Sequence, residues 1–263
     1  MAAPQALDAR HAARNFSVAA ARYEGAAQLQ AQTRAHLLAQ LDGLATPPRR
    51  IVDLGCGTGL AVPLLQARFT QAEIIALDRA AGMLAQARAA GVAPGLVADA
   101  QALPLASASV DLLFSNLVLQ WCPQPSLALA EAARVLRPGG TLAMAVPGPA
   151  TLRELRMAWR QIDDAEHVHR FAAADTWCAQ AQAAGLETAA QDSCLYQPQH
   201  ASVLALMQGL RDIGARNASV ARRRHWLGKS ALARLDAAYA PWRRDGGVYA
   251  SWDIVYLLLR RPA

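Results

Sequence analysis

The chain has 263 residues, of which 54 % are hydrophobic and 17 % are charged. This balance excludes an intrinsically disordered chain, and the length suits one sizeable domain or one domain with an inserted lid. No run approaches the ~20 consecutive apolar residues of a membrane-spanning helix, and the first residues lack the apolar stretch of a signal peptide. Four cysteines lie too far apart for a disulfide framework or a structural zinc site: Cys56, Cys122, Cys178 and Cys194. We therefore expect a globular, cytoplasmic protein that is not inserted in a membrane.

The net charge of +6 is concentrated in one segment. Between Ala201 and Asp245 there are nine basic and three acidic residues, which accounts for the whole net charge. A basic surface of this kind suits an acidic partner, either nucleic acid or an acidic protein. A solvated helix face is the alternative interpretation.

The first half of the chain alternates helices with short apolar strands. Apolar residues at helical intervals predict one or two helices between Asp8 and Leu44, ended by Pro47 and Pro48. The predicted strands that follow are Ile51–Leu54, Ile74–Leu77, Gly95–Ala98, Val110–Phe114 and Thr141–Val146. The helices predicted between them are Leu60–Leu65, Gly82–Ala90 and Leu127–Leu136, the last ended by Pro138-Gly139-Gly140. This alternation indicates a parallel sheet covered on both faces.

The second half predicts a lid over that sheet. Helices are expected at Leu152–Ile162 and Ala173–Ala184, followed by a strand from Leu186 to Tyr196. The basic segment then comes before a last apolar run, Val248–Leu259. We therefore interpret the basic segment as an insertion over the carboxyl edge of the sheet.

The strongest chemical signal is the segment Ile51-Val-Asp-Leu-Gly-Cys-Gly-Thr-Gly59. Its three glycines, Gly55, Gly57 and Gly59, directly follow a strand and allow a sharp turn with close backbone approach to a ligand. The spacing is G-x-G-x-G, whereas dinucleotide-binding loops have G-x-G-x-x-G. Asp53, inside the strand, would repel a pyrophosphate but suits a cationic amino group and a sulfonium. The pattern favours S-adenosylmethionine over NAD.

Further candidate cofactor residues follow the next two strands. Asp78 can accept two hydrogen bonds from a ribose diol, or can cap the helix that follows. Asp99 can receive an adenine amino group while the backbone amide of Ala100 reads a ring nitrogen. Met83 can pack on the adenine face, although a methionine at this spacing also suits the protein core.

In this order, these elements resemble the class I S-adenosylmethionine-dependent methyltransferases from Arg50 to Val146. Val135-Leu-Arg-Pro-Gly-Gly140 before the fifth strand is typical of that family. The resemblance implies an α/β, Rossmann-like fold with a mostly parallel seven-stranded sheet, N-terminal helices and an α-helical lid. The expected division is an N-terminal helical segment (1–48), a cofactor-binding core (49–198), a basic helical lid (199–245) and the last core strand (246–263).

Several other segments are similar to one subfamily, the malonyl-acyl-carrier-protein O-methyltransferases of biotin synthesis. They are Phe16–Tyr23 with Leu29-Gln30, Ser115–Cys122, Leu152-Arg-Glu-Leu with Ala158-Trp159 and Ile162-Asp163, His167–Phe171, and Ile213-Gly214-Ala215. Two positions depart from the family pattern. Arg211-Asp212 stands where the family commonly has Lys-Gly, and His169 stands where it usually has Asn.

The resemblance implies methylation of the free carboxylate of a malonyl thioester on acyl carrier protein, with S-adenosylhomocysteine as the second product. That carboxylate is already ionised at neutral pH, so no strong general base is needed. Arg170 is the candidate for gripping it through two hydrogen bonds, and Tyr23 can donate a third. The structural alternatives are a surface ion pair for Arg170 with Asp163, Asp164 or Glu166, and ordinary helix packing for Tyr23.

The remaining candidates are placed near the sheet edge or in the lid. Asn116 can bind the methionine part of the cofactor, and Gln120 can bind the substrate, although both can instead cap a helix. Trp121 is expected to form a pocket wall or to pack in the core, and Arg211 is expected to steer an acidic carrier protein. No metal is expected, since His167 and His169 lack ligand spacing.

Three rival functions remain open on sequence alone. Another small-molecule methyltransferase of the same fold, acting on a quinone carbon or on trans-aconitate, would share the cofactor motifs. An RNA methyltransferase would use the basic segment for phosphates but lacks a recognisable RNA module, so no nucleic-acid partner is expected. A non-catalytic nucleotide-binding regulator would keep the pocket without the chemistry.

Overall fold

The computed structural model describes residues 7–92, 95–220 and 228–263. The helices are α1 (Ala9–Ala26), α2 (Gln28–Gln40), α3 (Val62–Arg68), α4 (Ala81–Ala89), α5 (Pro125–Val135), α6 (Arg153–Arg160), α7 (Ala174–Ala183), α8 (Val203–Asp212) and α9 (Lys229–Ala238). The strands are β1 (Arg50–Leu54), β2 (Glu73–Asp78), β3 (Leu96–Val97), β4 (Val110–Asn116), β5 (Leu136–Pro147), β6 (Glu187–Tyr196), β7 (Gln199–His200), β8 (Arg243–Arg244), β9 (Gly247–Tyr249) and β10 (Trp252–Arg260). Within these ranges, no helix is both long and apolar enough to cross a bilayer.

Seven of the strands form the predicted sheet, in the order β3-β2-β1-β4-β5-β10-β6. Strands β3, β2, β1, β4 and β5 pair in parallel, and β10 runs antiparallel to both of its neighbours. Residues of β4 alternate between the two faces: Leu112 and Phe114 join one apolar cluster, and Leu113 joins the other. Because helices cover both faces, the central strands are mostly apolar, and the predicted mostly parallel sheet is confirmed.

The fifth strand begins earlier than its sequence suggests. Thr141 was the expected first residue, but Leu136 already pairs with Val110, and β5 starts there, directly after α5. The register shifts between Val110 and Leu112, which accommodates the extra residues of the Pro-Gly-Gly segment. The proline and glycines therefore lie within an irregular strand and do not form a separate turn.

The last apolar run is two strands of different sheets. β9 pairs with β7 and β8 in a small antiparallel sheet, and the core strand β10 starts only at Trp252. Strand β9 therefore lies within the segment expected as the last core strand (246–263) but pairs with β7 and β8 and not with the seven-stranded sheet. The lid contains both helices and this small sheet.

The N-terminal helices cover the carboxyl edge of the sheet. Asp8 caps α1 by accepting a hydrogen bond from the His11 N–H at 2.9 Å, and α1 packs against α4 and α8. A Cβ at Gly82 would lie 2.5 Å from the Ser17 carbonyl oxygen, so glycine at this position permits the close packing of α1 on α4. Helix α2 packs on β4 and β5. The two helices thereby close the space above the strand ends.

Candidate active site

Two cavities lie at the carboxyl edge of the sheet. The strand-end cavity, of about 780 Å³ including its open mouth, is lined by the residues that follow β1, β2 and β4 and by α1. The lid cavity, of about 2660 Å³ including its open mouth, lies between α1, α8 and the connection from α6 to α7. In open α/β sheets, ligands bind at this edge.

The glycine loop after β1 needs backbone conformations that other residues rarely adopt. Gly55, Gly57 and Gly59 have φ values of +73°, +56° and +85°. A Cβ at Gly55 would also lie 2.3 Å from Val118, and one at Gly59 would lie 2.8 Å from Val92. Gly55 and Gly57 line the strand-end cavity, whereas Gly59 is not among its lining residues and shapes the turn.

Asp78 fixes the loop and faces the same cavity. Its Oδ2 accepts a hydrogen bond from the Gly57 N–H at 2.9 Å, and its Oδ1 accepts one from the Ala80 N–H at 2.7 Å. Burial raises the pKa of Asp78, while these backbone N–H groups oppose that rise. The N-cap of α4 is Ala80, so the alternative helix-capping role of Asp78 is not observed.

Asp53 lies buried beneath the glycine loop, and near it lies the Arg34 guanidinium, which was not among the site residues expected from the sequence. Asp53 is only 3 % exposed, its Oδ2 has no hydrogen-bond partner among the described residues, and it is not among the cavity-lining residues. Burial raises its pKa to about 7; Asp78 adds to this, and the Arg34 guanidinium opposes it. Arg34 lies on α2 one turn after the buried Gln30, a helical spacing that could have identified it.

The other predicted cofactor residues all line the strand-end cavity: Met83, Asp99, Ala100 and Asn116. Asn116 donates a hydrogen bond from Nδ2 to the Gln30 carbonyl at 3.0 Å, while its buried Oδ1 has no partner among the described residues. Asp99 forms an ion pair with Arg79 at 2.9 Å. The unpaired Oδ1 of Asn116, the carboxylates of Asp78 and Asp99, and an apolar wall containing Met83 fit the amino acid, ribose and adenine parts of S-adenosylmethionine.

Four residues line both cavities and form the wall between them: Phe16, Tyr23, Leu117 and Trp121. The Trp121 ring packs edge-on against Phe16, with centroids 5.2 Å apart, so Trp121 is both pocket wall and packing residue. Burial and the nearby Asp78 raise the pKa of Tyr23 to about 12, so its hydroxyl remains a hydrogen-bond donor at neutral pH. Leu117 has a φ of +60°, a strained conformation of the kind found at binding sites.

In the lid cavity the predicted substrate residues are only partly brought together. Gln120 and Arg211 line it, and Gln120 donates a hydrogen bond from Nε2 to the Leu117 carbonyl at 2.7 Å. Arg170 is exposed and is not among the lining residues, although its neighbours His169 and Phe171 are. The structure therefore does not place the predicted guanidinium clamp in the cavity.

Some arginines of the basic lid segment line the lid cavity, and others contact acidic or aromatic side chains outside it. Arg211 and Arg216 are exposed where they line the lid cavity. Arg243 forms an ion pair with Asp236, and the Arg244 guanidinium lies 3.9 Å from the centre of the Tyr249 ring. The run Arg222–Arg224 lies outside the described residues. Across the part of the chain that the structure describes, no group of three or more His, Cys, Asp or Glu residues could hold a metal ion.

The fold is that of a class I methyltransferase. Residues 52–144 match the family model described as a methyltransferase domain. The fold is similar to geranyl diphosphate C-methyltransferase from Streptomyces coelicolor, solved with S-adenosylhomocysteine, at 13 % identity and a TM-score of 0.53, covering 89 % of this chain and 80 % of that one. It is also similar to Haemonchus contortus phosphoethanolamine N-methyltransferase 2, at 16 % identity and a TM-score of 0.51, covering 87 % of this chain and 53 % of that one.

Relatives that match over nearly all of this chain narrow this class to one family. A malonyl-[acyl-carrier protein] O-methyltransferase from Methylococcus capsulatus is 43 % identical over 94 % of this chain and 92 % of its own length. Another from Halorhodospira halophila is 39 % identical over 96 % of this chain and 88 % of its own length. A biotin biosynthesis bifunctional protein from Cellvibrio japonicus is 37 % identical over 98 % of this chain and 51 % of its own length. The chain belongs to the malonyl-[acyl-carrier protein] O-methyltransferase family of S-adenosylmethionine-dependent enzymes.

Proposed function

We propose that the protein transfers a methyl group from S-adenosylmethionine to the free carboxylate of a malonyl thioester on acyl carrier protein, in the cytoplasm. The methyl ester would start the pimeloyl route to biotin. The observation that carries this proposal is the wall of Phe16, Tyr23, Leu117 and Trp121, which belongs to both cavities. A methyl donor in the strand-end cavity and a carboxylate acceptor in the lid cavity would both contact these four residues, so the two ligands would lie next to each other there.

The strand-end cavity would hold the cofactor through residues already described. Asp78 would hold the ribose hydroxyls, and Asp99 with Ala100 the adenine edge, with Met83 on the ring face. Asp53, buried outside the cavity lining, would attract the cationic amino group through its charge. When bound, S-adenosylmethionine supplies a methyl group that is activated by its sulfonium. The carboxylates therefore serve to bind and orient, and none of them has to remove a proton from the acceptor.

The malonyl carboxylate has to be positioned by the protein but does not have to be deprotonated by it. A malonyl carboxylate is ionised at neutral pH and is itself the nucleophile. The protonated Tyr23 hydroxyl can donate a hydrogen bond to it from the shared wall, and the aromatic rings of Phe16 and Trp121 exclude water. Rate enhancement would come from holding the nucleophilic oxygen in line with the methyl group.

The basic lid offers a docking surface for the acidic carrier protein. Arg211 and Arg216 lie where the lid cavity is lined by exposed side chains, and Arg222–Arg224 add charge to the same segment. Reversing the charge of Arg222–Arg224 should raise the KM for the protein-bound substrate and leave a small malonyl thioester unaffected. Steady-state kinetics with both acceptors tests this, and equal losses on both would contradict docking. A charge reversal at Arg88, in the last turn of α4, is the matched control.

The proposed activity is tested by one competition among acceptors. Radioactive methyl transfer is measured with malonyl carrier protein, trans-aconitate, a quinone precursor and bulk RNA side by side. Transfer to malonyl carrier protein alone is the expected result. Transfer to another acceptor, or cofactor binding without any transfer, would replace the proposal by the corresponding rival.

A further inference from the structure

His169 is a buried polar residue in the lid cavity. It lies in the connection between α6 and α7, is only 8 % exposed, and lines the cavity close to the shared wall. Its ring packs edge-on against Trp121, with centroids 5.3 Å apart, and it also contacts Phe171. Trp121 itself lines both cavities, so His169 lies next to the place where donor and acceptor would meet.

The hydrogen bonding of His169 defines its tautomer. Its Nε2 accepts a hydrogen bond from the Ala218 backbone N–H at 3.0 Å. A backbone N–H can only donate, so Nε2 carries no proton, and the proton of the neutral ring is on Nδ1. Nδ1 is buried and has no hydrogen-bond partner among the described residues. The ring thus presents an N–H that forms no hydrogen bond with a described residue, although the Arg216 backbone lies close enough to favour the protonated ring.

The surroundings keep this ring neutral. Burial lowers the pKa of His169 to about 4, against the opposing effects of the Glu166 carboxylate and the Arg216 backbone. The Glu166 Oε2 already accepts a hydrogen bond from the Ser219 hydroxyl at 3.0 Å. The other charged or titratable groups that line the lid cavity are His11, Tyr23, His167, Arg211 and Arg216. At neutral pH, His169 is therefore a donor without a positive charge.

We propose that the Nδ1–H of His169 binds the carboxylate of the acceptor and selects anionic acyl groups, an inference that rests on the proposed carboxyl methyl transfer. A buried, unpaired N–H favours a ligand that brings an acceptor oxygen and disfavours one that brings only a methyl group. A neutral donor orients the carboxylate without the full charge neutralisation of a buried cation. The oxygen therefore keeps more of the electron density that attacks the methyl group.

Two variants separate the donor from the structural role of the ring. In His169→Gln, the side-chain amide extends towards the Nε2 position and can still accept from Ala218, but the Nδ1 donor is lost. In His169→Asn, the amide occupies the Nδ1 position and can donate, but the Ala218 N–H loses its acceptor. A purely structural residue would tolerate Gln better than Asn. A carboxylate-binding residue would show the opposite order in acceptor binding.

Binding is measured by calorimetry with malonyl and acetyl carrier protein, using enzyme saturated with S-adenosylhomocysteine so that no turnover occurs. His169→Gln should weaken malonyl binding about tenfold or more, as expected for a lost hydrogen bond to a charged group, and leave acetyl binding unchanged. His169→Asn should keep the malonyl preference of the wild type. Retention of that preference in His169→Gln would overturn the assignment. Thermal melting and S-adenosylhomocysteine affinity report whether each variant is folded.

A measurement on the unmodified protein covers the case in which a variant does not fold. Nitrogen-15 spectra of labelled histidines should show a neutral His169 with its proton on Nδ1, perturbed by malonyl but not by acetyl carrier protein. A charged ring, or a proton on Nε2, would overturn the assignment. Failure of the wild type to methylate malonyl carrier protein would instead overturn the proposed function. An active wild type whose His169→Gln variant keeps the preference would overturn the His169 assignment alone.

Discussion

The strand-end cavity and the lid cavity are built from different kinds of structure. Polar groups of the strand-end cavity follow the ends of β1, β2, β3 and β4, and neighbouring backbone N–H groups hold several of them in place. The lid cavity is assembled from α1, α8 and two irregular connections far apart in sequence. Under the proposed function, the sheet would determine where the cofactor binds, and the packing of the lid would determine which acceptor is accepted.

The largest expected effect is at the strand-end cavity, in Asp78→Ala. This change removes the proposed ribose ligand and also leaves the Gly57 and Ala80 N–H groups without their acceptor. We expect S-adenosylhomocysteine affinity to fall by about 100-fold or more, since hydrogen bonds to a buried charged group are each worth roughly 1.5–3 kcal/mol. Calorimetric titration measures it. Glu73→Ala, in the same strand and exposed, is the control, and an Asp78→Ala affinity within threefold of the control would contradict the ribose role.

The sequence predicts the strand-end cavity well because its determinants are local. Gly55, Asp78 and Asp99 each lie at or just past the end of a strand, and parallel strands bring such positions to one edge. The same reasoning predicts that the central strands pair in parallel. It misses the early start of β5, because the pairing of Leu136 with Val110 depends on a register shift that short-range patterns do not encode.

The residues that line the lid cavity are harder to predict from the sequence, because residues adjacent in the sequence point in different directions. Arg170 and His169 are adjacent, yet only His169 lines the cavity, and no periodicity in the irregular connection between α6 and α7 distinguishes them. The Ala218 N–H that sets the His169 tautomer comes from the lid, 49 residues later. Likewise, β9 pairs within the small lid sheet although its sequence continues the apolar run of β10.

The next effect is a pH dependence that arises from Asp53. Burial raises the folded-state pKa of Asp53 to about 7, so acidification below that value neutralises the carboxylate that would hold the cationic amino group. Cofactor affinity of the wild type should therefore fall up to about tenfold per pH unit below 7, and Asp53→Asn should be weaker and nearly independent of pH. Titrations between pH 5 and 8 measure both, and equal pH profiles for the two proteins would contradict this role.

The same raised pKa has a consequence for folding. A carboxyl group whose pKa is higher folded than unfolded stabilises the fold below its unfolded value, and this stabilisation is lost as pH rises through about 7. Asp53→Asn should therefore stabilise the cofactor-free protein at pH 8, by roughly 2–4 kcal/mol, and have little effect near pH 4. Asp111→Asn is the control of opposite sign, because hydrogen bonds from Arg50 and Arg137 lower the pKa of Asp111 despite some burial. Urea unfolding at both pH values tests the pair.

The smallest expected effect is that of replacing Arg170, the neighbour of His169 in the connection between α6 and α7. Arg170→Ala should change malonyl turnover by less than about threefold, because removing an exposed side chain outside the cavity lining leaves its walls intact. Steady-state kinetics with malonyl carrier protein measures this, with cofactor affinity as the control for folding. Lost turnover with unchanged cofactor affinity would instead support the guanidinium clamp expected from the sequence. In that case the connection between α6 and α7 would have to bring Arg170 into the lid cavity when the acceptor binds. The family resemblance, and not the present lining of the lid cavity, would then identify the residue that binds the carboxylate.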